Sequence, residues 1–314
     1  MTMLYAAVLL VLALAVTAYA LDRLVPRLAG RIGLTIERQL ARLAWDCASI
    51  PGAQMPYLEG GRGETIVLLH GFGADKENFV RLARHLTRHY HVVIPDLPGF
   101  GEASRDPDAD YSIAAQASNL HAFLYKLGLD QVHLGGNSMG GFIATEFAAR
   151  YPERVASLWL LSAAGTAAGQ NSALDREYTS TGMLPWLVPD LAAFDRLLDA
   201  TTARPLFLPW STRRRLALRG TADFALHTRV MRQLRDSPFL EARYFRIAAP
   251  ALIVWGGADQ IHHGAGADAL QAIMPNSQVV RMPGVGHLPM IEAPRRCATD
   301  YLAFLAALPR MRHD

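Results

Sequence analysis

Cysteine and lysine are nearly missing from this chain of 314 residues. Cys47 and Cys297 are the only cysteines, far apart and without metal-ligand spacing, so neither a disulfide framework nor a thiolate metal cluster is on offer. Free thiols are the default for both. Lys76 and Lys126 are the only lysines, and nearly all positive charge is therefore arginine. The 31 basic side chains are almost matched by 28 acidic ones, and a net charge of +3 gives no reason to expect a nucleic-acid partner. No internal repeat and no low-complexity tract interrupts the chain. Its length suits one large α/β domain carrying an insertion, or two small domains.

Charge is also missing from one end. Nothing between Met1 and Leu21 is charged, and Leu, Ala and Val dominate the stretch. About 20 helical residues reach across a hydrocarbon core of about 30 Å. Ala18-Tyr19-Ala20 resembles a signal-peptidase site, but no basic residue precedes the apolar run, and the run is longer than a signal core. The expectation is an uncleaved transmembrane anchor over residues 1–21. Arg23, Arg27, Arg31, Arg38 and Arg42 then recur at near-helical spacing, with Leu24, Leu28, Ile36, Leu40 and Leu43 on other faces. This pattern predicts an amphipathic juxtamembrane helix over 22–50 that lies on the bilayer or merely joins anchor to domain.

From about residue 52 short apolar runs alternate with helical patterns. Ile66–Leu69, Val92–Ile94, Val132–Leu134, Leu158–Leu161, Leu252–Trp255 and Val279–Met282 suit strands buried on both faces. Between them lie helical patterns at Phe79–Arg88, Ile113–Leu127, Phe142–Arg150, Ala265–Ile273 and Arg295–Leu308. The alternation predicts an α/β fold with a mostly parallel sheet flanked by helices. Residues 166–248 break the rhythm: no strand run appears among prolines and apolar clusters such as Met183–Leu187 and Leu206–Trp210. That interval is expected to be a helical cap, dividing the core into 51–165 and 249–314.

Gly136-Asn137-Ser138-Met139-Gly140-Gly141 follows one strand run and precedes a helix, the setting of a nucleophile elbow. The turn is so tight that side chains two before the serine, or two and three after it, would collide, and those positions are Gly136, Gly140 and Gly141. His70-Gly71-Phe72-Gly73 ends the Ile66–Leu69 strand, where Gly71 and Gly73 let backbone approach a substrate. The N–H groups of Phe72 and Met139 are the expected oxyanion donors. Asp259 and His287 each sit on a loop just past a strand, and the chain order Ser138, Asp259, His287 matches the order of a hydrolase triad. Asp96 is a rival acid, but it lies upstream of the serine and reads as a turn residue. His262 and His263 read as surface or core residues.

The segments LLHGFGADKENF, VVIPDLPGFGEAS, VHLGGNSMGG, LIVWGGADQ and PGVGHLPMIEAP resemble the α/β-hydrolase superfamily over about residues 52–308. Within it they are similar to membrane-anchored lipases, namely monoacylglycerol lipases and bacterial phospholipases A1. The resemblance implies an eight-stranded hydrolase fold with a cap and carboxylester hydrolysis of lipid esters. It makes Ser138 the nucleophile, Asp259 the acid, His287 the base, and Phe72 and Met139 the oxyanion donors, with no metal or organic cofactor. It is weakest in the cap and in the first strands, where only Met55–Glu59 looks like one before Ile66. The implied partners are a lipid ester, its fatty acid product and a membrane, with a homodimer through the anchor left open. The resemblance places the protein in a bacterial inner membrane with its domain in the periplasm, although the arginines after the anchor favour the cytoplasmic side. Two other functions stay open: carbon–carbon bond hydrolysis of aromatic ring-fission products, and a catalytically silent binding protein on the same fold.

Overall fold

The computed structural model describes residues 2–308; Met1, the first residue of the expected anchor, and residues 309–314, the end of the expected core, lie outside the described residues. Strand β1 (Ala44–Ile50) and β2 (Ala53–Gly60) form an antiparallel hairpin closed at Gly52, whose φ of 78° favours glycine. β3 (Thr65–Leu69), β4 (His91–Pro95), β5 (Val132–Asn137), β6 (Val155–Leu161), β7 (Ala251–Gly256) and β8 (Ser277–Met282) complete an eight-stranded sheet of order β1-β2-β4-β3-β5-β6-β7-β8. All neighbours from β4 to β8 are parallel.

The apolar runs are continuous because both faces of the sheet are covered. Val67 and Leu69 point to one core with α4 (Ile113–Lys126), α5 (Met139–Arg150) and α11 (Ala265–Ile273). Ile66 and Leu68 point to a second core with α3 (Val80–Ala83), α12 (Pro289–Glu292) and α13 (Pro294–Ala306). Successive side chains of a strand alternate faces, so every second residue serves each core.

Two sequence expectations need correction. The juxtamembrane helix does not run from 22 to 50. Helix α1 (Thr2–Leu24) ends before Val25, α2 (Pro26–Leu40) starts on Pro26, and the chain is extended from Ala44. The reason is a change of period: Ala48 and Ile50 are buried while Trp45 and Ser49 are exposed, an alternation of two that suits a strand. The helix expected over Phe79–Arg88 is one short helix, α3, followed by turns, and Thr87 Oγ1 donates to the carbonyl of Ala41 rather than facing solvent.

Between β6 and β7 there is no strand. The chain forms α6 (Ala173–Thr181), α7 (Leu191–Thr201), α8 (Trp210–Ala222), α9 (Phe224–Asp236) and α10 (Leu240–Arg243). Trp186, Leu187 and Met231 of this insertion pack with Ile261 into a small third core beside the strand ends.

The 22-residue stretch Met3–Leu24, whose most apolar 18 residues have a mean hydropathy of 2.4, is long and apolar enough to cross a membrane, and none of those 18 is buried against the domain. Its C-terminal end is nonetheless fastened to the cap. Asp22 accepts the N–H of Trp210 at 2.9 Å and of Ser211 at 3.1 Å, satisfying two of the free donors at the start of α8.

Candidate active site

Ser138 stands between β5 and α5 with φ 53° and ψ −119°, a region that non-glycine residues avoid. The glycines around it are there for space. A Cβ on Gly136 would lie 2.3 Å from Gly140, one on Gly140 would lie 2.2 Å from the Leu69 carbonyl oxygen, and one on Gly141 would lie 2.5 Å from the Ala163 methyl. Two of these crossings are between the helix after the serine and the strands beside it, and the third is between that helix and the segment just past β6. The close packing forces the strained turn and pushes the serine out of the sheet.

The loop after β3 lies against this elbow. A Cβ on Gly71 would come within 3.2 Å of the Ser138 Cβ, and Gly73 has a φ of 71°. His70 holds the loop from below. Its Nδ1–H donates to the Gly71 carbonyl at 2.8 Å and its Nε2 accepts the N–H of Leu97 at 3.0 Å, so both ring nitrogens are engaged. Burial pushes its pKa down and keeps it neutral, as that double bonding requires. The Phe72 N–H has no acceptor among the described residues, and that of Met139, at the first position of α5, has no acceptor within its helix.

The loops after β7 and β8 bring Asp259 and His287 together. His287 Nδ1 and Asp259 Oδ2 are 2.9 Å apart, leaving His287 Nε2 free. The other carboxylate oxygen accepts the N–H groups of Ile261 at 2.8 Å and His262 at 3.0 Å. Burial alone would raise the Asp259 carboxyl; His287 beside it, together with these hydrogen bonds, holds it below the usual carboxylate range instead.

His262 is neither a surface nor a packing residue, and here the sequence expectation was wrong. Its ring lines the same cavity as Ser138 and His287, with Nε2 3.4 Å from Ser138 Oγ. The physical reason is the turn that Asp259 makes with its own loop: by accepting two successive N–H groups, it folds the chain back and swings residue 262 inward. The available signal was the spacing, a histidine three residues after the candidate acid on one loop.

Two other residues were not legible as site residues. Asn137, next to the serine, donates through Nδ2 to the carbonyls of Leu161 at 2.9 Å and His287 at 3.0 Å. Glu292 accepts the N–H of Gly286 and of Ala203, both at 2.8 Å, and the His287 N–H donates to the Thr201 carbonyl at 2.9 Å. The loop carrying His287 is thus tied to the elbow on one side and to the end of α7 on the other.

The cavity over Ser138 has a volume of about 130 Å³ and is walled mainly by Phe72, Phe142, Trp186, Leu197, Met231 and Leu234. One side is polar, where Gln170, Asp175 and Arg235 face it. The Arg235 guanidinium lies 4.1 Å over the Tyr178 ring and 5.0 Å from that of Trp186, and pairs with Asp175 at 3.3 Å.

Asp96 is elsewhere. Its oxygens take the Lys76 ammonium at 2.7 Å and the N–H groups of Lys76 and Glu102 at 2.8 and 2.7 Å. A second serine–histidine–carboxylate chain, Ser157, His133 and Glu64, is linked at 2.9 and 3.4 Å, and Ser157 also meets the Tyr301 hydroxyl at 3.1 Å. Ser157 and His133 are buried within β6 and β5 and none of the three lines the cavity, so this chain serves packing.

Comparison with known proteins agrees with this geometry. A sequence profile of the α/β-hydrolase fold family matches residues 64–294. The chain is 39% identical to Lipase 1 of Psychrobacter immobilis over 268 residues, covering 83% of each protein. It is 31% identical to the monoacylglycerol lipase ABHD6 of Bos taurus, over 79% of this chain and 77% of that one. Among solved structures, a bacterial membrane phospholipase A described as a virulence factor superposes with a TM-score of 0.87 at 37% identity, covering 98% of both chains.

Proposed function

The chain belongs to the α/β-hydrolase family, and from that premise we propose a membrane-anchored serine hydrolase that cleaves carboxylic esters of lipids through Ser138, His287 and Asp259. The observation that carries this reading is the strained Ser138 on an apolar cavity that is also lined by His287, whose imidazole is held by a buried carboxylate.

The chemistry is a two-step acyl transfer. His287 Nε2 takes the proton of Ser138 as Oγ attacks the ester carbonyl, and returns it to the leaving alcohol. Asp259 fixes the His287 tautomer and stabilises the imidazolium. The N–H groups of Phe72 and Met139 receive the oxyanion, each contributing about 3 kcal/mol if it behaves like other single donors. Water, activated by the same histidine, then releases the fatty acid.

Lipid as the acyl source follows from where the site is. Helix α2 keeps Leu28, Ile32, Ile36 and Leu40 exposed along one stripe, each 44–52% accessible, whereas a helix of a soluble domain turns such a stripe inward. With α1 spanning the bilayer, this stripe lies in the interfacial layer, and the cap fastened to α1 holds the cavity close to it. Phospholipid or lysophospholipid and monoacylglycerol are the two leading substrates. The lipase relatives and the anchor favour ester over carbon–carbon bond cleavage, and an engaged Asp259–His287 pair speaks against a silent binding protein. We place the domain on the periplasmic face of an inner membrane, as the family resemblance implies; the similarity to a bacterial membrane phospholipase supports membrane attachment alone, and Arg23, Arg27 and Arg31 favour the cytoplasmic side. Pairing of two copies through α1, which the domain leaves uncovered, is part of the same reading.

The test is product analysis with the purified full-length protein on mono-, di- and phosphoglycerides in mixed micelles. Release of fatty acid by the wild type and its loss in Ser138→Ala are expected. Turnover near the wild-type rate in that variant would remove the assignment.

A further inference from the structure

We propose that His262 is a fourth member of the reaction centre: a neutral imidazole whose Nε2–H donates to Ser138 Oγ and supports the negative charge that builds on it. The proposal rests on Ser138 being the nucleophile and adds a residue to that site.

Three observations carry it. The contact between Ser138 Oγ and His262 Nε2, at 3.4 Å, is the only side-chain hydrogen bond the serine makes among the described residues. The ring is placed from behind by the acid itself, because Asp259 accepts the His262 N–H with one oxygen and holds His287 with the other. Finally, His262 Nδ1 is buried and has no hydrogen-bond partner among the described residues.

The last point sets the tautomer. A proton on Nδ1 would be a buried donor with nothing to meet, and orphaned buried N–H groups are rarer than under-satisfied acceptors. A proton on Nε2 meets Ser138 Oγ. With His262 donating, the serine's own proton is left for His287. When that proton moves, the Oγ–carbonyl bond forms and His262 keeps its proton throughout. The contact at 3.4 Å is long for a resting hydroxyl, and a bond to a charged oxygen is shorter and stronger, so the interaction grows towards the transition state. The same donor serves again when Oγ leaves during deacylation.

Neutrality is what makes such a donor useful. The rings of His262 and His287 are 5.1 Å apart at 75°, so a cation on His262 would oppose the imidazolium forming on His287. Burial first, and then the charge of His287, hold His262 down to about 4. Asp259 and Asp175 pull it upward and Arg235 pushes it down, and these are the charged groups that face it. Around neutral pH it is therefore an uncharged donor.

The experiment compares two full-length variants on p-nitrophenyl butyrate, a soluble ester that does not depend on membrane access. His262→Leu keeps volume and removes the donor; His262→Gln places an amide N–H near the position of Nε2. The leucine variant should lose about tenfold in kcat with KM within about twofold, the size of one modest hydrogen bond gained in the transition state. The glutamine variant should recover most of that loss. Phosphonylation of Ser138 by a fluorophosphonate should slow in parallel, while the acid limb of the pH–rate profile stays in place because the base is unchanged. Should the leucine variant not fold, His262→Asn, whose amide is too short to reach Oγ, takes its place with the same loss expected. Wild-type kcat in the leucine or asparagine variant, a glutamine variant as slow as either, or a loss carried wholly by KM would each overturn the proposal. Ser138→Ala is run beside them: if it stays active, the nucleophile assignment fails, whereas an inactive Ser138→Ala with an unimpaired donor-less variant removes only the role of His262.

Discussion

Asn137 and His287, 150 positions apart in the chain, are joined by a hydrogen bond of 3.0 Å from the asparagine amide to the histidine's own carbonyl. The residue before Ser138 therefore holds the loop that carries the proposed base. The same amide group reaches Leu161 at 2.9 Å, so the elbow, β6 and the loop after β8 share one buried contact. Asn137→Ala would leave both carbonyls without this donor and let the His287 loop relax. We expect kcat on a soluble ester to fall by about 10–100-fold with little change in KM, since misplacement by about 1 Å commonly has that effect. A variant with wild-type kcat would show that the loop is positioned without this bond.

Glu292 performs the matching task on the far side of the same loop. It holds the N–H of Gly286, one residue before His287, and the N–H of Ala203, just past the end of α7. Glu292→Gln keeps one acceptor oxygen, while Glu292→Ala leaves two part-buried N–H groups unmatched, a cost of about 1–3 kcal/mol each when water cannot reach them. The alanine variant should show a lower urea midpoint and a lower kcat together, with the glutamine variant in between. Equal stability for alanine and wild type would mean that water replaces the carboxylate.

Much of this site was readable from the chain because its requirements are steric. Gly136, Gly140 and Gly141 are glycine because backbone or a methyl lies where each Cβ would go, and such spacing survives in sequence as a pattern. The parallel strands β3 to β7 were equally legible, as runs buried on both faces; β8, at the sheet edge, was read as such a run too, yet of its residues only Met282 is buried. What escaped detection depends on contacts between distant segments. His262 is turned inward by two hydrogen bonds to Asp259, and Asn137 gains its role only when the loop after β8 arrives beside it. Of the β1–β2 hairpin, β2 was legible in Met55–Glu59, whereas β1 was missed because four of its seven residues face solvent, which dilutes the apolar signal that the helical arginine pattern had just set up.

The fastening of Asp22 to α8 yields a prediction about the anchor. Because Ala41 and Leu43 are buried in the domain and β1 starts at Ala44, removing residues 1–45 would damage the core. A deletion of residues 2–21 keeps Asp22, its two N–H contacts at 2.9 and 3.1 Å, and all of α2. That protein should hydrolyse p-nitrophenyl butyrate at nearly the full-length rate and lose most activity on vesicles. Asp22→Ala in the full chain should instead lower cap stability by about 1 kcal/mol, the usual loss for a helix N-terminal cap, while leaving membrane attachment intact. Equal losses on both substrates after the deletion would mean that α1 supports the fold rather than access to lipid.

The buried histidines predict how stability changes with pH. Burial is the first cause of a lowered pKa at His70, His133, His227 and His262, the last reaching about 4. Each therefore binds its proton more weakly in the folded chain than in the unfolded one, where histidine titrates near 6.5. The unfolded state binds more protons below that value, so stability rises with pH in this window and is lost as pH falls from about 6.5 toward 4. For His262 alone the difference corresponds to about 3 kcal/mol, at 1.36 kcal/mol per pH unit. Asp259 and Asp75 act in a lower window, since carboxyls held below their usual range lose their contribution only beneath about 4. Urea unfolding between pH 4 and 8 should thus show a steep decline that begins near 6.5, well above the carboxylate range. His262→Gln should make that decline shallower by removing one of these groups. A stability that stays flat from pH 7 to 5 would mean that these histidines take up protons in the folded chain as readily as in the unfolded one, and that burial does not hold their pKa down.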